Sequence, residues 1–301
     1  MITVSAGKLA TNNVGYKAAF NEGRVEAAKE STYTRIATVV PSTTREEEYG
    51  WLKDIPQIRE WIGDRAIHAL ADDGYKIRNK SFELTVSVKA EDINDDRVGI
   101  YAPQFRFMGD EVERFPNRMV YALLKSGVTA KCYDGQPFFD ANHPYIKADK
   151  STGTQSNYVS GAGTPWFLLS TRRPLKPLIY QERQKFNYVE MSKPDDPNVF
   201  MRKELIYGVD GRANAGFGFW QMAVCSRAAL DASSFKAARK MMRQFKGDYE
   251  KPLGQSPDLF VGGTDHEDAA EELFLTETLS GGGKNPLYKK LDVLITEYLD
   301  V

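Results

Sequence analysis

Cysteine is nearly absent. With only Cys132 and Cys225, the chain has no disulfide framework and no cysteine metal cage, and a reducing compartment is expected. Histidine is equally scarce: His68, His143 and His266 are the whole set, and no two stand at metal-ligand spacing. No apolar run approaches the length a bilayer requires, so a membrane protein is not expected. The opening MITVSAGKLATNN has neither the basic start nor the apolar stretch of an export signal. An excess of charge is missing too. The 40 Lys and Arg face 41 Asp and Glu, so no global field draws the chain onto nucleic acid. Internal repeats are lacking, and the one low-complexity tract is Ser-Gly-Gly-Gly at 280–283.

What is present is length and aromatic surface. The 301 residues suffice for two ordinary domains, and 16 Phe, 15 Tyr and 4 Trp supply large contact areas for cores and interfaces. Residues 1–49 read as an arm. Their apolar positions (Val14, Tyr16, Phe20, Val25) are sparse, and the strand-like YTRIATVV stops at Pro41, so the segment needs a surface to lie on. Residues 65–88 read as a hairpin. Asp73-Gly74 is a favoured two-residue turn, and Phe82, Leu84, Val86 and Val88 alternate with Ser81, Glu83, Thr85 and Ser87. The apolar face of such a ribbon must find a partner.

Residues 99–127 read as a long helix, with Phe105, Met108, Val112, Phe115 and Met119 on one stripe, Gly127 at its end and a kink expected at Pro116. From 130 to 230 the pattern is strand and loop. After 231 it becomes an α/β unit: a helix with Phe235, Ala238, Met242 and Phe245 on one face, the strand PDLFVGG, a capping box of Thr264 and Glu267, and a last strand, LDVLITEYL.

Candidate chemistry is thin. GVDGRANAGFGFWQMA at 208–223 places Gly211 and Gly216 at the spacing of a phosphate loop, but Phe217 and Gly218 stand where Lys and a hydroxyl would be required. Asp140 and His143 in FFDANHP could orient a hydrolytic base, and the same residues make good turn chemistry. Glu46-Glu47-Glu48 and Glu91-Asp92 with Asp95-Asp96 have the oxygen donors calcium prefers but match no calcium loop. They read as solvated faces or caps. No catalytic, cofactor-binding or metal site is assigned.

IRNKSFELTV, GIYAPQF, CYDGQPFFDANHP, PWFLLSTRRPLKPLIYQER, VFMRKELIYGVDGRANAGFGFWQMA and LDVLITEYL together resemble the major head (capsid) subunits of bacteriophage Mu and Mu-like prophages, in order over nearly the whole chain. The resemblance implies an α+β phage-capsid fold of the Hong Kong 97 type, with an N-terminal arm (1–49), an extended hairpin loop (50–90), a peripheral domain (91–230) carrying a spine helix near 99–127, and an axial domain (231–301). It also implies a non-enzymatic structural protein of the virion, assembled in the bacterial host cytoplasm. Copies would form hexamers and pentamers that close into an icosahedral shell around double-stranded DNA, without sequence-specific binding. Scaffold, maturation protease, portal and decoration proteins are the implied partners, and no cofactor is. The alternatives are an encapsulin-like cargo shell and an intracellular hydrolase using Asp140 and His143. On this reading the arm and the 51–88 region lie over an adjacent subunit, with Trp51, Trp61, Phe82, Leu84 and Val86 at the interface. Gly211, Gly216 and Gly218 let a strand turn sharply, anchored by Trp220 together with Phe217 and Phe219.

Overall fold

The computed structural model describes residues 6–53, 74–94, 98–279 and 281–300. The chain opens with helix α1 (Ala6–Ala28), a single turn α2 (Tyr33–Ile36), and strands β1 (Ala37–Pro41), β2 (Glu46–Tyr49), β3 (Tyr75–Arg78) and β4 (Lys80–Lys89). A short α3 (Ala90–Asn94) and the long α4 (Val98–Ser126) follow, then β5 (His143–Ile146), β6 (Thr152–Gln155), β7 (Tyr158–Val159), β8 (Trp166–Leu169) and β9 (Leu178–Met191). The remainder is α5 (Pro197–Arg202), β10 (Glu204–Phe217), β11 (Ala223–Ser226), α6 (Ala232–Arg243), β12 (Leu259–Gly262), α7 (Glu267–Ala270) and β13 (Asp292–Ile295). No helix of the described residues is long and apolar enough to cross a membrane.

Two mixed sheets organise these elements. The first has order β1-β9-β10-β4, the second β13-β12-β8-β11-β7. The second sheet overturns the expectation that 231–301 is a unit by itself: β12 pairs with β8, and β8 with β11, so residues 158–169 and 223–226 supply its middle and one edge. Strand order is set by long-range pairing, which local pattern does not reveal.

α4 runs unbroken through Pro103 and Pro116. Its stripe is inward as expected, with Phe105, Met108 and Val112 buried and Phe115 and Met119 half-buried. What covers it is α1, a helix the arm reading missed. Leu9, Asn12, Tyr16, Ala19, Phe20, Gly23 and Ala27 form the buried face of α1 at three- and four-residue spacing, while Val14 and Val25 point to solvent. Tyr16 stacks on Phe105 with centroids 4.2 Å apart, and Tyr207 of β10 closes edge-on against both rings. Arg24 with Glu113 and Arg106 with Glu22 bridge the helix pair at 2.6 and 2.5 Å, and Arg114 reaches Glu30 in the turn just after α1 at 2.7 Å. The part of the arm expected on a neighbouring subunit is therefore docked on its own chain, because its buried stripe matches that of α4.

The hairpin also differs from expectation. β3 pairs with β2, Tyr75 opposite Tyr49, so the ribbon closes on residues 46–49. Asp73, His68 and Trp61 lie outside the described residues. Trp51 falls in the 3-10 turn Gly50–Lys53. Phe82, Leu84 and Val86, expected between subunits, are half-buried within their own chain. β4 pairs along β10, Phe82 sits 4.6 Å from Phe115 of α4, and Leu84 and Val86 pack on the α1–α4 core. Asn79 separates β3 from β4 and is buried. Its amide nitrogen donates to Ser42 Oγ, and its oxygen accepts from Gln181 Nε2.

α6 buries Phe235, Ala238 and Met242 as its periodicity predicts. Its capping box is built by Asp231, which accepts from the amides of Ser233 and Ser234, while Ser234 Oγ accepts from the Asp231 amide. The box expected at Thr264 and Glu267 is absent. Asp300 takes both the amide and the hydroxyl of Thr264, at 2.9 and 2.8 Å, so a distant carboxylate does what the local Glu was expected to do. LDVLITEYL is only partly strand: β13 ends at Ile295 and a 3-10 turn, Glu297–Leu299, follows.

Candidate functional site

The glycine-rich segment and the FFDANHP segment, 70 residues apart in the chain, pack against each other ring on ring. Phe138 stacks on Phe217 at 4.5 Å, Tyr133 meets Phe219 edge-on at 6.1 Å, and His143 stacks on Trp220 at 4.1 Å. Phe217 ends β10 in the first sheet and Ala223 begins β11 in the second. The knot therefore clamps the chain where it passes from one sheet to the other.

The expected sharp turn at Gly211–Gly218 is instead a 14-residue strand, β10, ended at Gly218. The irregularity lies in its partner: between the pairs Asp210–Asn187 and Ala213–Glu182, β10 advances three residues while β9 advances five. Glycine is needed for close approach. A Cβ at Gly218 would sit 2.8 Å from the carbonyl oxygens of Lys176 and Pro177, and one at Gly211 would sit 2.9 Å from the Phe186 ring. A Cβ at Gly216 would lie 2.1 Å from Ile77 Cδ1, and Ile77 is itself buried. Gly216→Val is thus expected to destabilise the subunit by about 1–3 kcal/mol through overpacking. Urea denaturation checks this, and an unchanged midpoint would show that Ile77 has room to yield.

The polar centre of the knot is His143, fully buried. Its Nδ1 lies 2.6 Å from Asp134 Oδ2 and its Nε2 lies 3.2 Å from Asn157 Oδ1. The Asn157 amide nitrogen donates to the carbonyls of Phe138 and Trp220, which leaves its oxygen to accept. Both imidazole nitrogens therefore face acceptors. Asp134 also accepts from Cys132 Sγ and the Gln136 amide. Burial alone would raise the Asp134 carboxyl, but the hydrogen bond and charge of His143, with help from Cys132 and Gln136, outweigh it and hold the carboxyl below its ordinary range. Burial, then the Asp134 charge, pushes the Cys132 thiol up, and burial does the same to Cys225. Neither thiol is a poised nucleophile.

This geometry removes the hydrolase reading. His143 is paired with Asp134, and Asp140 Oδ1 accepts the Asn142 amide at 2.7 Å in a turn. No substrate can reach a ring closed by Trp220 on its face and by Asp134 and Asn157 on its nitrogens. Cys132, Asp134 and His143 bring a sulfur, an oxygen and a nitrogen within 4.8 Å of one another, a donor set that zinc would accept. In this structure those atoms hydrogen-bond to one another, Cys132 Sγ and His143 Nδ1 both to the Asp134 carboxylate. The acidic clusters are also occupied: Glu47 Oε1 accepts the amides of Thr43 and Thr44, and Asp92 accepts from Tyr101. Asp95 and Asp96 lie outside the described residues. Sequence reasoning named both halves of the knot and missed Asp134 and Asn157, whose only signal was polarity beside buried aromatics.

Comparison with known proteins gives a consistent result. The family model for the Mu-like prophage major head subunit gpT matches residues 9–299. The chain is 41% identical over 287 residues to the major capsid protein of Escherichia phage Mu, covering 92% of this chain and 94% of that protein. It is 38% identical over 279 residues to the Mu-like prophage FluMu major head subunit of Haemophilus influenzae, covering 90% and 89%. A chain from the procapsid of bacteriophage JBD30 superposes with a TM-score of 0.84 at 41% identity, over 98% of this chain and 100% of that one. A chain from the JBD30 capsid superposes with a TM-score of 0.77 at 32% identity, over 89% and 91%.

Proposed function

The chain belongs to the Mu-like prophage major head subunit family, and from that premise we propose that its copies close as hexamers and pentamers into an icosahedral shell around double-stranded DNA. It is a major head (capsid) subunit with the α+β phage-capsid fold of the Hong Kong 97 type. The observation that carries the shell reading is the end-to-end superposition on a procapsid chain. The encapsulin-like and hydrolase alternatives have no support from the relatives.

Within that frame the first sheet with α1 and α4 takes the part of the peripheral domain. The second sheet with α6 takes that of the axial domain, and the region of β2 and β3, which flank residues 54–73 outside the described part, takes that of the extended loop over a neighbour. The arm keeps that part only beyond the stretch that α1 docks. Exposed apolar side chains remain for contacts between copies: Phe107 on α4 is 73% exposed, and Phe200 and Met201 on α5 are 79% and 76%. A subunit held by several neighbours needs only modest affinity at each contact. The role is structural and non-catalytic, in the virion after assembly in the host cytoplasm, with scaffold, maturation protease, portal and decoration proteins as partners.

Electron microscopy of the purified chain tests the proposal. Regular closed shells are the expected result, with nucleic acid in particles recovered from an infected or induced host. A chain that stays monomeric at high concentration would overturn it.

A further inference from the structure

Two surfaces of opposite sign lie on the unit built around the second sheet, and among the described residues neither is engaged in ion pairs. On α6, Lys236, Arg239, Lys240 and Arg243 recur at the spacing of one helical face and flank a shallow groove together with Gln244. Among the described residues none of the four makes an ion pair or a side-chain hydrogen bond. The arginines of α4 differ: Arg106, Arg114 and Arg118 are each paired with a carboxylate. The second surface is Asp265, Glu267, Asp268, Glu271, Glu272 and Glu277, all exposed and likewise without ion pairs among the described residues. α6 and this acidic segment meet through their apolar sides, Phe235 against Phe274 at 4.8 Å. Among the described residues no ion pair joins the two charged faces.

We infer that the basic face of α6 docks on the acidic 265–277 face of the next copy of the chain, head to tail around a ring. Two different patches that complement each other form a heterologous contact, which closes into a ring when the rotation permits. The inference rests on the head-subunit reading and gives it one specific contact. Charge complementarity favours a second copy over nucleic acid as the occupant. Every copy carries the six exposed carboxylates of the 265–277 face to set against the four basic side chains of α6, and a heterologous contact uses both faces at once.

The test is a charge swap. Lys240→Glu with Arg243→Glu, and separately Glu271→Lys with Glu272→Lys, place like charges opposite each other. Each pair is expected to lower the assembled fraction in sedimentation by about tenfold or more. The four substitutions together are expected to restore it, with circular dichroism showing all variants folded. Shells that tolerate each reversed pair, or a fourfold variant that stays unassembled, overturn the contact and leave the head-subunit reading intact. A wild-type chain that never assembles overturns both. A wild-type chain that retards a short DNA duplex through Lys240 and Arg243, with assembly unaffected by their reversal, assigns the face to nucleic acid and also overturns the contact.

Discussion

Gly109→Ala is expected to destabilise the subunit by about 2 kcal/mol, although the same change in an isolated helix would stabilise it by about 1 kcal/mol. The sign reverses because α1 and α4 cross backbone to backbone. A Cβ at Gly109 would lie 2.0 Å from the Phe20 carbonyl oxygen, and a Cβ at Gly23 would lie 2.0 Å from the carbonyl oxygen of Arg106. Neither obstacle is a side chain that can swing aside. The helices must separate, and separation loosens Tyr16, Phe20, Phe105 and Met108 together, all of them buried at the crossing. Gly15, also in α1, has no atom within 4 Å of its would-be Cβ. Gly15→Ala is therefore expected to stabilise by about 0.5–1 kcal/mol. Urea denaturation of the unassembled subunit reads both. Because Gly23 and Gly109 serve one crossing, their two Ala substitutions should be strongly non-additive. Equal stabilisation at Gly15 and Gly109 would show that the helices do not touch there.

The same crossing explains which parts of the fold were legible. α4 announces itself because Phe105, Met108, Val112 and Phe115 are large and regularly spaced. α1 follows an equally regular pattern, but three of its inward positions are Asn12, Ala19 and Gly23, while Val14 and Val25 are outward. Hydrophobicity therefore carries almost no helical signal along it. Close packing selects for the absence of a side chain, and an absence does not register in a search for apolar residues. Asp300, which caps the segment at Thr264 from 36 residues away, is invisible to local reading for a different reason: nothing near Thr264 in sequence hints at it. The 231 boundary failed in the same manner, since β12 finds β8 across about 90 residues.

The knot was half legible. Phe217, Phe219, Trp220 and His143 stand out in the sequence while Tyr133 and Phe138 do not, and the fit of His143 onto Trp220 depends on Asp134 and Asn157, which supply the acceptors for the two ring nitrogens. Buried polar groups of this kind specify one arrangement when every member is satisfied and are costly when one is lost. In a head subunit that demand falls on the joint between the sheets, where a small change of angle would alter how neighbours meet.

Removing the ring should show how much depends on it. His143→Ala is expected to destabilise the subunit by about 3–5 kcal/mol, since it leaves Asp134 buried without its partner and opens a void against Trp220. The effect should depend on pH in a defined direction. In the wild type the Asp134 carboxyl is held below its unfolded value, so its contribution is present above about pH 4 and is lost as pH falls through the folded value. Without His143 the strongest influences holding the carboxyl down are gone, so the variant has less of this stability to lose on acidification. The gap between the two should accordingly narrow as pH falls from about 6 towards 3. Paired urea titrations at the two pH values measure this narrowing. A gap that stays constant would mean that the ring acts through packing alone and that the Asp134 charge has another partner.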